Sequence, residues 1–217
     1  MSICQIRVRP PEQRIREISL RANESTAKHL LRQEFKFRGG LDMLPLVTVP
    51  VDYPIYRLEN YRTGDYQLNL VADGKVPAGF FDPSRREDPS AQQWQHQILV
   101  EQSKRGSGET IKPIYDELAR AAEQTEHLII THDGVVVNGN RRLAAMRELI
   151  GEPGGLFSTF ENVLCLVLPE SATHKEVRRL EIGLHAYFSP SWTPFQADRG
   201  RHFSVIVDDG GSAQVIF

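Results

Sequence analysis

The chain has 217 residues and 24.6 kDa, with 40% hydrophobic and 25% charged side chains, the balance of a soluble globular protein long enough to bury a core without cross-links. A formal net charge of −2 and a pI of about 6.4 exclude a surface that is basic throughout, so any DNA or phosphate contact must come from a local patch. Cys4 and Cys165, the two cysteines, lie far apart and exclude a disulfide framework and a CxxC metal site; with no apolar leader and no run of membrane-spanning length, a cytoplasmic protein without a membrane partner is expected.

Residues 1–44 read as an N-terminal helical arm, flexibly joined to the core. Pro10 and Pro11 stop earlier structure, and Ile15, Ile18, Leu20, Leu30 and Leu31 are the apolar marks among Arg and Glu. The β-branched and aromatic stretch 44–58 predicts strand, with an edge or breaks at Pro45, Pro50 and Pro54. A polar turn at 59–65 leads into a loop-like stretch over 66–90, where Phe80 and Phe81 plug the core. Ser90 caps a helix holding Trp94, Ile98, Leu99 and Gln102; 104–109 breaks it, and a second helix covers about 112–123 with Ile114, Leu118 and Ala122 at four-residue spacing. Strands follow at 127–131 and 135–137 around the tight turn Asp133-Gly134, then a helix over 141–149 ended by Gly151 and Pro153. The run 162–169 is the most strand-like of the chain, with Cys165 as a buried small hydrophobe. Ser171 or Thr173 caps a helix over 173–187, Pro190 and Pro194 frame a Trp192 loop, and 203–207 with 213–217 form a hairpin or tail. The fold class is α/β (α+β), a small mixed sheet with surrounding helices.

The segment 132–149, HDGVVVNGNRRLAAMREL, carries the strongest chemical signal. A strand ends at Val137, Gly139 admits backbone angles closed to other residues and a close-lying ligand, and a helix then begins with unpaired N–H groups at Asn140, Arg141 and Arg142. Helix starts attract anions through those groups and the dipole. Arginine in a first turn opposes that dipole, so Arg141 and Arg142 imply an anion that resolves the conflict, with Arg142 exposed. The competing reading makes Arg141 and Arg142 a solvated face and Gly139 a plain turn residue.

The same stretch resembles the signature of the ParB/sulfiredoxin (ParB N-terminal domain-like) superfamily, whose matching element reads roughly G-E-R-R-x-x-A in ParB-type proteins and G-C-H-R in sulfiredoxin. Upstream, YPIYRLENYR over 53–62 resembles the family's opening strand and its N-x-R element; downstream, 163–169 and the helix over 173–185 resemble its later strand and helix. The resemblance implies a domain over 45–200 with a helical insertion at about 66–125, in which Gly139, Asn140, Arg141 and Arg142 line the phosphates of a nucleotide and Arg62 approaches from the Asn60-x-Arg62 turn. It implies Mg²⁺ with a nucleoside triphosphate as cofactor, CTP or ATP, and Glu181 as the candidate catalytic carboxylate, sharing a helix face with His185. Departures limit this. Sulfiredoxin's cysteine and ParB's glutamate are both replaced by Asn140, which excludes sulfinic acid reduction, and E-N-x-Q-R stands only as Glu181-Ile182-Gly183-Leu184-His185.

The resulting expectation is a ParB-like nucleotide-binding module, DNA-associated or regulatory, in a plasmid-maintenance or defence-type system. Its partners would be a nucleotide, DNA, and a protein or a second copy of the chain. Two alternatives stay open. One is a nucleotide hydrolase, phosphotransferase or nuclease using Glu181, His185 and Asp65; the other is a protein-interaction scaffold built on the arm and the insertion. Trp94 and Trp192 read as core and loop plugs, His96, His127 and His132 lack metal-ligand spacing, and Lys175, Arg178 and Arg179 read as a solvated face.

Overall fold

A computed structural model describes residues 4–27, 32–105, 113–187, 204–207 and 213–216. Leu30, Leu31, Trp192 and the side chain of His185 lie outside the described residues. In chain order the elements are α1 (Pro11–Ala27), β1 (Arg32–Phe37), β2 (Gly40–Pro50), β3 (Ile55–Tyr56), α2 (Gly64–Ala72), α3 (Pro89–Ser103), α4 (Ile114–Ala121), β4 (Leu128–Ile130), β5 (Val135–Asn138), α5 (Asn140–Ile150), β6 (Asn162–Val167), α6 (His174–Tyr187), β7 (Ser204–Val207) and β8 (Ala213–Ile216).

Six strands form one mixed sheet in the order β1-β2-β6-β4-β5-β3, so the fold is α/β as expected. β6 runs antiparallel to β2 and parallel to β4, placing Cys165 opposite Val47 on one side and Leu128 on the other. β5 runs antiparallel to β4 and parallel to the two-residue β3. The central strands are buried along their length, which explains why LII, VVV and VLCLV read as nearly continuous apolar runs rather than alternating ones. Burial pushes the Cys165 thiol well above the usual range, as befits an inert core residue.

The chain divides into two compact units, one of Met1–Gln33 with Leu44–Glu170, the other of Glu34–Met43 with Ser171–Phe217. In the first, α1 is packed rather than set apart as an arm. Ile18 is fully buried in the main core, and the equally buried Arg14 donates to the Asp133 carbonyl at 2.7 Å and to both carboxylate oxygens of Glu87 at 2.6 and 3.0 Å. Burying Ile18 alone is worth roughly 1.5–3 kcal/mol. The stretch 66–125, expected as an insertion, likewise supplies the core: Leu99 and Val100 of α3 and Leu118 of α4 join the main cluster. Phe80 and Phe81 fill a second cluster with Leu58, Val76, Ala91 and Ile98, and Trp94 packs on it.

Helix starts follow local chemistry. α3 is capped by Asp88, whose carboxylate accepts the Ser90 N–H at 2.8 Å, with Pro89 in the first turn; the cap is thus two residues earlier than Ser90. In the second unit, α6 begins after Thr173, which exchanges hydrogen bonds with Glu176 as a capping box, and Arg38 of the β1–β2 turn clamps Glu176 and the Ser171 carbonyl. The Thr173 N–H, Arg38 and the Thr173 hydroxyl hold the Glu176 carboxyl down at about 2. β7 and β8 pair antiparallel, Ser204 opposite Ile216.

Candidate functional site

β5 ends at Asn138, and Gly139 turns the chain into α5 with φ +96°. A Cβ at Gly139 would lie 2.5 Å from the Cδ2 of Leu128. Glycine is therefore required here by the left-handed backbone and by β4 packing against it, so the space expected for a ligand on that side is filled by Leu128. Gly139 caps α5 without a side chain, so the first-turn N–H groups of Asn140, Arg141 and Arg142 have no intrahelical partner.

Asn140 is 4% exposed and turned inward. Its Nδ2 donates to the Val136 carbonyl at 3.0 Å and its Oδ1 accepts the Arg57 N–H at 3.2 Å. The side chain expected to line the phosphates thus ties the end of β5 to the segment after β3 instead. Arg142 is only 12% exposed, not open as its position suggested; it pairs with Glu126, and its Nε is buried without a hydrogen-bond partner among the described residues. Arg141 is half-buried, and burial, then the charges of Arg62 and Arg142, pull its guanidinium down to about 10. Burial also lowers Arg62. Both remain charged at neutral pH.

The fold therefore brings Arg62 and Arg141, 79 positions apart by number, within electrostatic reach at the start of α5. Arg62 sits in a short 3₁₀ turn, Tyr61–Thr63, capped by Asn60, whose Oδ1 accepts the Arg62 N–H at 2.9 Å. Asn60 is thus the turn-maker of the N-x-R element. Glu181 stands on α6 in the second unit, where it is 3% exposed, and Asp65 is exposed in the first turn of α2. Among the described residues no three His, Cys, Asp or Glu side chains come together to hold a metal ion. No helix among them is long and apolar enough to cross a membrane.

Behind this cluster lies a polar layer that sequence reasoning missed. Three side chains of α3 bind the backbone of the segment leading to Arg62. Gln92 accepts the Tyr56 N–H at 2.8 Å and donates to the Tyr56 carbonyl at 2.9 Å. Gln95 donates to the Arg57 carbonyl at 3.2 Å and the Thr63 hydroxyl at 3.0 Å, and Gln102 donates to the Arg62 carbonyl at 2.7 Å. Gln67 adds a bond to the Leu58 carbonyl at 2.6 Å. The available signal was the run QQWQHQ, too polar for a helix that also carries Ile98, Leu99 and Val100.

A second buried line joins Tyr56, His96 and Glu148. His96 Nε2 lies 2.9 Å from the Glu148 carboxylate and Nδ1 lies 2.8 Å from the Tyr56 hydroxyl. A carboxylate only accepts, so Nε2 carries the proton and Nδ1 receives the Tyr56 O–H. Burial holds the His96 pKa below its usual value, keeping the ring neutral, and pushes Tyr56 up to about 12. Arg147 lies 4.8 Å above the Tyr56 ring and donates to the carbonyls of Val51 and Pro54 at 2.8 and 2.7 Å. With Tyr56 and His96 fully buried, this line is built as structure that locks α3 and α5 to β3.

No family profile, curated protein or solved structure matches the chain.

Proposed function

We propose that the first unit is a ParB-like nucleotide-binding module whose phosphates rest on the start of α5, held by the N–H groups of Asn140, Arg141 and Arg142 and by the guanidinium groups of Arg62 and Arg141. One observation carries this reading: Arg141 is half-buried at the start of α5, where the charges of Arg62 and Arg142 raise the cost of its own. Such crowding is unfavourable without an anion, and the positive end of a helix adds to it. Bidentate guanidinium groups suit phosphate oxygens, and the resemblance around 132–149 supplies the nucleotide. The gathered groups are cationic, and among the described residues no carboxylate cluster stands ready for Mg²⁺, so the metal would arrive on the phosphates of the nucleotide.

Calorimetric titration of the full chain with CTP, ATP, GTP and ADP, with and without Mg²⁺, tests the reading. At least one nucleotide binds the native chain, and Arg141→Ala loses that binding while unfolding at an unchanged temperature. Absence of binding by every nucleotide under both conditions sinks it. DNA association and self-association follow as secondary tests, with nucleotide present and absent.

A further inference from the structure

We infer that Gln102 is a positioning residue for Arg62, an inference resting on the anion-site reading. The Arg62 turn is short and half-exposed, and its geometry is set from two sides. From within, Asn60 fixes the Arg62 N–H, and the Thr63 hydroxyl returns to the Asn60 carbonyl at 3.0 Å. From α3, Gln95 holds the Thr63 hydroxyl at 3.0 Å, and Gln102 holds the Arg62 carbonyl at 2.7 Å. Those two glutamines stand seven positions apart, two turns of α3, so one helix face grips two successive residues of the turn, Arg62 and Thr63.

Gln102 is the informative member. It is nine-tenths buried, and its donor must be Nε2, since the Arg62 carbonyl only accepts. Its Oε1 is then left buried without a hydrogen-bond partner among the described residues. For stability alone the gain from the bond to the part-buried Arg62 carbonyl is offset by the orphaned buried acceptor, so an apolar side chain of similar size would serve about as well. What the amide supplies, and an apolar side chain cannot, is a fixed Arg62 backbone, the base from which its guanidinium extends.

The experiment measures pyrophosphate and CTP affinity by calorimetry, with melting temperature in parallel, for the native chain, Gln102→Leu, Arg62→Ala and the double variant. Gln102→Leu binds about three- to tenfold more weakly, the loss expected from one misdirected charged hydrogen bond. Its melting temperature is unchanged or higher, opposite to the effect of a merely structural loss. In the Arg62→Ala background the same change costs no further affinity. Unchanged affinity in Gln102→Leu, or an equal loss in both backgrounds, overturns the positioning role while leaving the anion site standing. A native chain that binds neither probe overturns both. Gln102→Met serves if the leucine variant does not fold.

Discussion

The side-chain amide of Gln92 pairs with both backbone groups of Tyr56, accepting its N–H at 2.8 Å and donating to its carbonyl at 2.9 Å. Among the described residues β3 is the last strand of the sheet and pairs with β5 alone, so Gln92 occupies the place a further strand would take. An edge left open is a template for unwanted pairing, and one buried without partners is costly. Replacing Gln92 by Leu is expected to cost about 2–4 kcal/mol, since two backbone groups lose their partners in a fully buried site. Gln92→Glu should do no better, because a carboxylate accepts from the N–H but cannot donate to the carbonyl. Urea titration measures both; a loss under about 1 kcal/mol for each would show that water fills the gap.

Gly139 makes a separable prediction. Alanine there meets two obstacles, a φ of +96° and Leu128 Cδ2 at 2.5 Å. The backbone term alone is about 1–3 kcal/mol. Gly139→Ala should therefore destabilise by more than that, and combining it with Leu128→Ala should recover the steric part only. A double variant whose loss equals the sum of the single losses would mean that Leu128 moves aside freely.

Much of the sheet was legible because its central strands bury both faces and leave an apolar run as trace, and the turn Asp133-Gly134 with the NGNRR helix start announced itself through residues with few backbone options. The docking of α1 was not legible. A buried arginine looks like a surface arginine in sequence, and the partners of Arg14, Glu87 and Asp133, lie 73 and 119 residues away. The same holds for α3, where the roles of Gln92, Gln95 and Gln102 left no trace because hydrophobic periodicity counts an amide as polar whether it meets water or a backbone 36 to 40 residues distant. Of the site, Arg141 and Arg62 were visible as motif residues, whereas the inward turn of Asn140 and the Glu126 partner of Arg142 depend on the fold.

The buried His96 gives stability a defined pH dependence. Its folded pKa lies below the ordinary value of 6.5, chiefly through burial, so the unfolded chain binds more protons between the two values. Its contribution is fully present above about pH 6.5 and is lost as pH falls toward the folded value. Burial raises the Glu148 carboxyl, but bonds from His96 and the Cys4 N–H outweigh it and leave it below 4.5, so a further loss sets in under that pH. Urea midpoints at pH 7.5 and 5.5 should differ in the native chain, and the difference should shrink in His96→Gln. An identical difference in both would assign the dependence to other groups.

At the proposed anion site, Glu126 would compete with the ligand. Its carboxylate pairs with Arg142 while itself 58% exposed, so it is a rim charge held over a nearly buried guanidinium. The pair is open at Glu126 but nearly buried at Arg142, so losing the carboxylate costs more than the about 0–1 kcal/mol of a fully exposed pair, while a carboxylate beside the start of α5 repels any incoming phosphate. Glu126→Gln should therefore lower the melting temperature modestly and strengthen pyrophosphate binding several-fold at low salt, an effect that fades as ionic strength rises because the Glu126 charge is exposed. Arg142→Ala should weaken binding less than Arg141→Ala, since part of Arg142's charge is already spent on Glu126. Should Glu126→Gln instead weaken binding, the pair would be holding Arg142 in its binding geometry, and Glu126 would belong to the site as a support rather than as a competitor.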